Sequence, residues 1–72
     1  MNKNELDFAA FCIENIAEKL DLNGADVYKM LTAGSTILDG YILAFYDVLH
    51  TQGKEYIVND IIECMRKEGL VE

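Results

Sequence analysis

The chain has 72 residues, 51% of them apolar, and its 13 acidic and six basic side chains give a formal net charge of −7. The bases are scattered, whereas nucleic-acid binding needs a clustered basic surface, and no apolar run approaches the roughly 20 residues of a membrane span. No secretory signal is visible either, so we expect a cytoplasmic protein with a single domain over residues 1–72 that binds neither nucleic acid nor membrane.

The first predicted helix covers residues 4–20 and is apolar on two faces. The face with helical spacing comprises Leu6, Ala9, Ala10, Ile13, Ile16, Ala17 and Leu20. Phe8 and Phe11 point nearly opposite this face, so both sides of the helix need cover. The two phenylalanines either pack under another helix or the C-terminal residues, or form an exposed aromatic patch that contacts a partner.

The second predicted helix is short and begins after Asn23, whose side chain can cap free backbone N–H groups of the first turn. Val27, Met30 and Leu31 form its buried face. Gly34 is expected to end the helix, because glycine readily adopts the left-handed conformation that follows many last turns.

The third predicted helix runs from a cap at Ser35 or Thr36 to Leu49 and is apolar around most of its circumference. Its main stripe comprises Leu38, Ile42, Phe45, Tyr46 and Leu49, flanked by Tyr41, Leu43 and Val48. A helix with this pattern is usually central in a fold. Gly40 would cost up to about 1 kcal/mol relative to alanine inside the helix, and it indicates a bend or a close approach of another backbone.

The fourth predicted helix starts after Gln52 or Gly53. Its buried stripe comprises Ile57, Val58, Ile61, Cys64 and Met65. Gly69 followed by Leu70 is typical of a Schellman ending. No stretch keeps the period-two alternation of a strand. The sequence therefore predicts an all-α fold, a compact four-helix domain with tight turns and a central third helix.

The two cysteines, Cys12 and Cys64, fall inside apolar helical patterns, and the chain has no CxxC pair. Without a secretory signal, we expect both to be reduced thiols. A structural zinc site normally shows paired ligands at short spacing, which the cysteines and His50 do not provide. We therefore expect no metal site and no cofactor.

His50, the only histidine, lies in the sequence LHTQ, which is Leu49, His50, Thr51 and Gln52. We interpret this motif as a helix corner in which His50 hydrogen-bonds the backbone across the turn between the third and fourth helices. The alternative is a small enzyme or ligand-binding site in which Asp47 orients His50 beside Thr51. Any short chain offers such neighbours by chance, so we expect no catalytic residue.

Phe8, Phe11 and Tyr56 are the candidates for an interaction surface, because Tyr56 also lies opposite the buried stripe of its helix. As an exposed patch within an acidic surface they would contact another protein, most favourably a basic one. We therefore expect a small acidic protein-interaction module and not an enzyme. A structural subunit that forms homo-oligomers is the remaining alternative.

Four segments resemble one family of short bacterial proteins. They are SxILDGYI (35–42), YDVLHTQGKEYIVNDI (46–61), FCIENIAEKL (11–20) and VYKML (27–31). Together they resemble domain of unknown function 3791, whose LHTQ motif corresponds to Leu49, His50, Thr51 and Gln52. The resemblance implies a small helical cytoplasmic protein without established activity. Family members are often encoded beside a small ADP-ribosyltransferase-like protein, which implies an accessory or antitoxin-like role.

Overall fold

A computed structural model describes all residues 1–72 and contains only helices and turns. The elements are α1 (Lys3–Leu20), α2 (Gly24–Thr32), a π-helical segment (Leu38–Leu43), α3 (Tyr46–Leu49) and α4 (Lys54–Lys67). No strand is present, so the predicted all-α class is confirmed. The predicted third helix is divided into the π-helical segment and α3, which gives five helical elements instead of four.

The start of α1 is fixed by a reciprocal cap between Asn2 and Glu5, and the helix begins one residue before the predicted position 4. The Glu5 backbone N–H donates to Asn2 Oδ1 at 2.8 Å, and the Asn2 backbone N–H donates to Glu5 Oε1 at 3.0 Å. These two bonds satisfy backbone donors that have no partner within the helix. The helix therefore begins at Lys3.

The buried side of α1 differs from the predicted stripe. Leu6 is 57% exposed and Ala10 is also exposed, whereas Phe8 and Cys12 are buried. Ile16 is buried as predicted. Because this helix is apolar on two faces, spacing alone does not choose between them, and burial of an aromatic ring removes far more apolar surface from water than burial of an alanine.

Asp21 follows α1 in the left-handed conformation, with φ 57° and ψ 46°. It is the one residue other than glycine with positive φ. The Leu22 backbone N–H donates to the Ala17 carbonyl at 2.9 Å, which closes the helix end. This conformation costs most L-residues roughly 1–2 kcal/mol, although aspartate tolerates it better than most.

Replacing Asp21 by glycine is therefore expected to stabilise the fold by a few tenths of a kcal/mol to about 1 kcal/mol. Glycine relieves the backbone strain, and part of that gain is offset by the greater freedom of glycine in the unfolded chain. Urea unfolding followed by circular dichroism measures the change. Asp26→Gly is the matched control, because Asp26 lies in the first turn of α2 and glycine there should destabilise. Equal effects of the two substitutions would contradict the strain at Asp21.

The caps around α2 follow the prediction at one end and depart from it at the other. Asn23 Oδ1 accepts from the Asp26 backbone N–H at 2.8 Å, which confirms the predicted N-cap. Gly34 does not adopt the left-handed conformation, so that prediction is wrong. A Cβ atom at Gly34 would lie 3.3 Å from a methyl group of Leu70 and 3.3 Å from the Met30 carbonyl oxygen. Glycine is used there because it lets the C-terminal residues pack closely.

The π-helical segment changes the phase of the predicted third helix. Leu38, Ile42 and Leu49 are buried as predicted, but Phe45 is 51% exposed. A π-helical turn contains about one residue more than an α-helical turn. Side chains that follow the segment therefore point in other directions than α-helical spacing predicts. Phe45 itself leaves the α conformation, with φ −108° and ψ 23°. The segment packs against α1, α2 and α3.

The core is a single cluster of 16 buried hydrophobic residues with no buried polar side chain. The largest side chains with almost no exposure are Ile16, Leu31, Ile42, Ile61 and Met65. At the end of α4, Gly69 has φ 77°. The Leu70 and Gly69 backbone N–H groups donate to the Met65 and Arg66 carbonyls, each at 3.0 Å. The predicted Schellman ending is thereby confirmed. None of the helices combines the length and the apolar character needed to cross a membrane.

Candidate functional site

The LHTQ corner is formed by side chains that bind the carbonyl groups at the end of α3. His50 Nδ1 lies 2.6 Å from the Tyr46 carbonyl oxygen, and its ring stacks on the Tyr46 ring with centroids 4.4 Å apart. Because a carbonyl oxygen only accepts, the hydrogen of this bond is on Nδ1. Thr51 Oγ1 donates to the Val48 carbonyl at 2.7 Å. Each carbonyl also accepts a backbone N–H group, from His50 at 3.0 Å and from Thr51 at 3.3 Å, so the side chains add a second bond to an oxygen that is already paired.

The predicted backbone bond of His50 is therefore present, but its acceptor belongs to the same helix and not to the far side of the corner. Leu49 is buried, and the Gln52 backbone N–H donates to its carbonyl at 3.0 Å. Asp47 forms no hydrogen bond or ion pair with His50, and the Thr51 hydroxyl is directed to the backbone. The arrangement orders the chain between α3 and α4.

Of the three aromatic residues predicted to form an interaction patch, Phe8 and Phe11 lie together, whereas the Tyr56 ring pairs with neither. Phe8 is buried and packs against Phe11 and the edge of Tyr46, with ring centroids 6.2 Å and 5.4 Å away respectively. The alternative that Phe8 provides an exposed contact is therefore wrong, because this ring completes the core. Phe11 is half-buried, and Tyr56 is 58% exposed on α4. Tyr56 pairs with neither phenylalanine ring.

A second set of residues links α4 to the π-helical segment and the start of α3 through the bond between Asp60 and Tyr41. Tyr56 and Asp60 are four residues apart on α4 and share a face. The Asp60 carboxylate accepts a short hydrogen bond from the Tyr41 hydroxyl, and the Tyr41 ring lies 5.4 Å from the Phe45 ring. Val48 follows Phe45 by three residues and is 61% exposed. We call these residues, Tyr41, Phe45, Val48, Tyr56 and Asp60, the Tyr41 face.

The electrostatics of the Tyr41 face are set by Asp60. Its hydrogen bond with Tyr41 raises the pKa of that hydroxyl well above its usual range, and partial burial and the charge of Asp60 act in the same direction. The hydroxyl therefore stays protonated and donates at neutral pH. Cys64 lies one turn beyond Asp60, and burial, followed by the charge of Asp60, raises the pKa of its thiol. Neither group is an activated nucleophile.

Replacing Tyr41 by phenylalanine is expected to cost about 1 kcal/mol of unfolding free energy, because a hydrogen bond to a carboxylate is lost at a half-buried site. The loss should be largest below pH 10. Above that pH the unfolded chain releases the tyrosine proton while the folded chain retains it, so this contribution to stability falls as pH rises. Urea titrations at several pH values measure both effects. Tyr56→Phe is the control, since its hydroxyl makes no hydrogen bond in the fold, and an equal loss there would contradict the assignment.

An open groove of about 300 Å³ between α1 and α4 is the one pocket in the structure. It is lined by Asn15, Glu18, Lys19, Lys54, Glu55 and Val58. Its two acids and two bases balance, and Lys19 Nζ donates to Asn59 Oδ1. No group of three or more histidine, cysteine, aspartate or glutamate side chains is arranged to hold a metal ion. Only Val58 among the lining residues is apolar, whereas pockets for small molecules are lined mostly by apolar side chains.

The family model described as protein of unknown function (DUF3791) matches residues 7–68, which is most of the chain. The chain belongs to the DUF3791 family. The matched range of this DUF3791 domain contains the LHTQ corner and every residue of the Tyr41 face. Comparison with curated proteins and comparison with solved structures each give no significant match.

Sequence reasoning found Tyr56 but missed Phe45 and Val48 as surface residues. It placed Phe45 in the buried stripe and Val48 on its flank, because it assumed α-helical spacing throughout. Two signals were available: the third helix had more apolar positions than one buried stripe can use, and Gly40 stood in its middle. Both indicate an interruption that turns part of the apolar surface outward.

Proposed function

We propose that this DUF3791 domain is a small acidic protein-interaction module that binds another protein through the Tyr41 face. The observation that carries the proposal is the exposure of the three large apolar side chains of this face: Phe45 at 51%, Tyr56 at 58% and Val48 at 61%. Aromatic side chains commonly form the energetic centre of protein interfaces, and exposed apolar surface on a small domain often marks a binding site.

Binding, without catalysis, is also favoured by the state of the reactive side chains. The His50 ring is held by the Tyr46 carbonyl and by stacking on the Tyr46 ring. Cys12 is fully buried, and burial raises the pKa of its thiol to about 12. A catalytic nucleophile needs an accessible, activated group next to a base. We propose no catalytic role for these residues.

For the partner, we propose an ADP-ribosyltransferase-like protein, with this chain as its accessory or antitoxin-like subunit. The support is the resemblance of the segments around VYKML and LHTQ to a family whose members are often encoded beside such a protein. The chain's formal net charge of −7 would assist association with a basic surface on that partner.

Co-expression of the chain with the ADP-ribosyltransferase-like protein of the same organism, followed by co-purification and calorimetric titration, tests this proposal. We expect a defined complex that Phe45→Ser weakens at least tenfold. Tyr28→Ser is the matched control, because Tyr28 has the same exposed fraction, 51%, and lies on α2 outside the Tyr41 face. Absence of a complex would overturn the proposed partner. A complex that both variants weaken equally would overturn the role of the face and leave the partner standing.

A further inference from the structure

We infer that the segment received by the Tyr41 face carries apolar side chains flanked by lysine or arginine, and that it comes from another protein and not from a second copy of this chain. This inference rests on the proposed function and specifies the chemistry of its partner. It follows from the charges that surround the exposed aromatic side chains.

The apolar part of the face lies in a stretch of sequence without any lysine or arginine. Between Lys29 and Lys54 the charged side chains are Asp39 and Asp47, and both are exposed. Asp47 directly precedes Val48 in α3. A partner segment that covers Phe45 and Val48 therefore comes close to acidic side chains, and this part of the chain has no lysine or arginine to balance them. Basic side chains at the edges of the partner segment would be favoured.

The α4 side of the face has the same sign of charge. Asp60, at the hydroxyl of Tyr41, is followed by Glu63 and Glu68, and all three act on the Cys64 thiol against one base, Lys67. The next base, Arg66, is already paired with Glu63 at 2.5 Å. With the pair of Glu63 and Arg66 set aside, two acids, Asp60 and Glu68, face one base, Lys67, along this edge.

A second copy of the chain fits the face poorly. A two-fold symmetric contact would place the same patch on both protomers, so the acids near one patch would meet the acids near the other. Like charges brought together in an interface oppose association and are a common means of excluding the wrong partner. Each protomer has a formal net charge of −7, which adds a long-range repulsion.

The surface area of the molecule indicates which part of an interface the Tyr41 face would form. A standard interface covers about 800 Å² on each partner, which is roughly 18% of the 4508 Å² surface of this chain. The exposed side chains of the Tyr41 face can supply only the apolar centre of such an interface. The surrounding carboxylates would form its rim, where charge governs the association rate and the choice of partner.

Three synthetic amphipathic peptides of equal length test the inference without knowledge of the natural partner. One has leucine and phenylalanine on one side and lysine on the other, the second has glutamate in place of lysine, and the third keeps lysine but has serine in place of the apolar side chains. Each peptide is titrated into ¹⁵N-labelled chain, and binding is followed by the amide resonances.

We expect the apolar lysine peptide to bind at least tenfold more tightly than either of the other two and to shift the resonances of Phe45, Val48 and Tyr56. Phe45→Ser should weaken it at least tenfold, Tyr28→Ser should not, and added salt should weaken it progressively. Equal binding of the lysine and glutamate peptides, or no binding of any peptide, would overturn the inference. Concentration-dependent dimerisation that Phe45→Ser abolishes, measured by sedimentation, would assign the face to a second copy instead.

The two proposals can fail separately. The Tyr41 face can prefer the lysine peptide while the ADP-ribosyltransferase-like protein forms no complex. In that case only the proposed partner is wrong. A complex with that protein could also be insensitive to Phe45→Ser while the peptides bind elsewhere on the chain. That result would support a protein-interaction role but show that the Tyr41 face is not the binding surface.

Discussion

Replacing Ile61 by alanine is expected to lower the free energy of unfolding by about 2–5 kcal/mol. Ile61 has no exposed surface and lies on α4, within the single cluster that forms the whole core. The substitution removes buried methyl and methylene groups and leaves a cavity that the surrounding side chains fill only in part. Urea unfolding monitored by circular dichroism gives the change directly.

The effect is large in relation to the stability that a chain of 72 residues can have. At about 0.05–0.15 kcal/mol per residue, the total is roughly 4–11 kcal/mol. Tyr56→Ala is the matched control on the same helix, because Tyr56 is 58% exposed and its truncation should change stability by no more than about 0.5 kcal/mol. If truncation of Tyr56 costs as much as truncation of Ile61, the assignment of the buried side of α4 is wrong.

Replacing Cys12 by serine is expected to cost about 1–3 kcal/mol, although the two side chains differ by one atom. Cys12 has no exposed surface, and burial raises the pKa of its thiol to about 12, so the group is a neutral part of the core. A serine hydroxyl at this position loses its hydrogen bonds with water. A bond back to the Phe8 carbonyl, one turn earlier, would recover part of the loss and explains the width of the range.

Cys64→Ser makes the same chemical change at a half-buried position and is the control. Its hydroxyl can reach water, so we expect a loss of less than about 1 kcal/mol. Thermal and urea unfolding of both variants at pH 7 measure the difference. A loss at Cys64 equal to or larger than the loss at Cys12 would contradict the placement of Cys12 in the interior.

The features that sequence reasoning predicted well depend on few neighbouring residues. Asn23 caps α2 and Gly69 with Leu70 ends α4 through bonds within six residues of each other. The burial of Ile57, Val58, Ile61 and Met65 followed from their spacing, because α4 has one apolar face and a polar opposite side. Where the capping residues and the helical periodicity agree, the sequence alone predicts where a helix ends and which of its faces is buried.

The features that it missed depend on contacts between distant parts of the chain. Both faces of α1 are apolar, so the choice of Phe8 over Ala10 is made by the elements that pack on it, including Tyr46. Gly34 was assigned a turn conformation, but its role is to admit Leu70, which is far away in sequence. Spacing carries no information about such partners.

The candidate site could be predicted only in part for the same reason. Tyr56 was recognised because it opposes a clear stripe, whereas Phe45 was assigned to the core by an α-helical period that the π-helical segment interrupts. The LHTQ corner was recognised as a helix ending, but the acceptor of the His50 bond depends on how α3 itself closes. Because a π-helical turn is wider than an α-helical turn, Phe45 lies on the surface at a position that α-helical spacing assigns to the interior.

The outward position of Phe45 is the central claim, and solvent accessibility measured by nuclear magnetic resonance tests it most directly. With a soluble paramagnetic agent, side-chain resonances of Phe45 and Val48 should broaden strongly, because they are 51% and 61% exposed. Those of Ile42 and Leu49, at 0% and 4%, should be protected. Protection of Phe45 equal to that of Ile42 would indicate one continuous α-helix with its stripe buried, and would contradict the Tyr41 face.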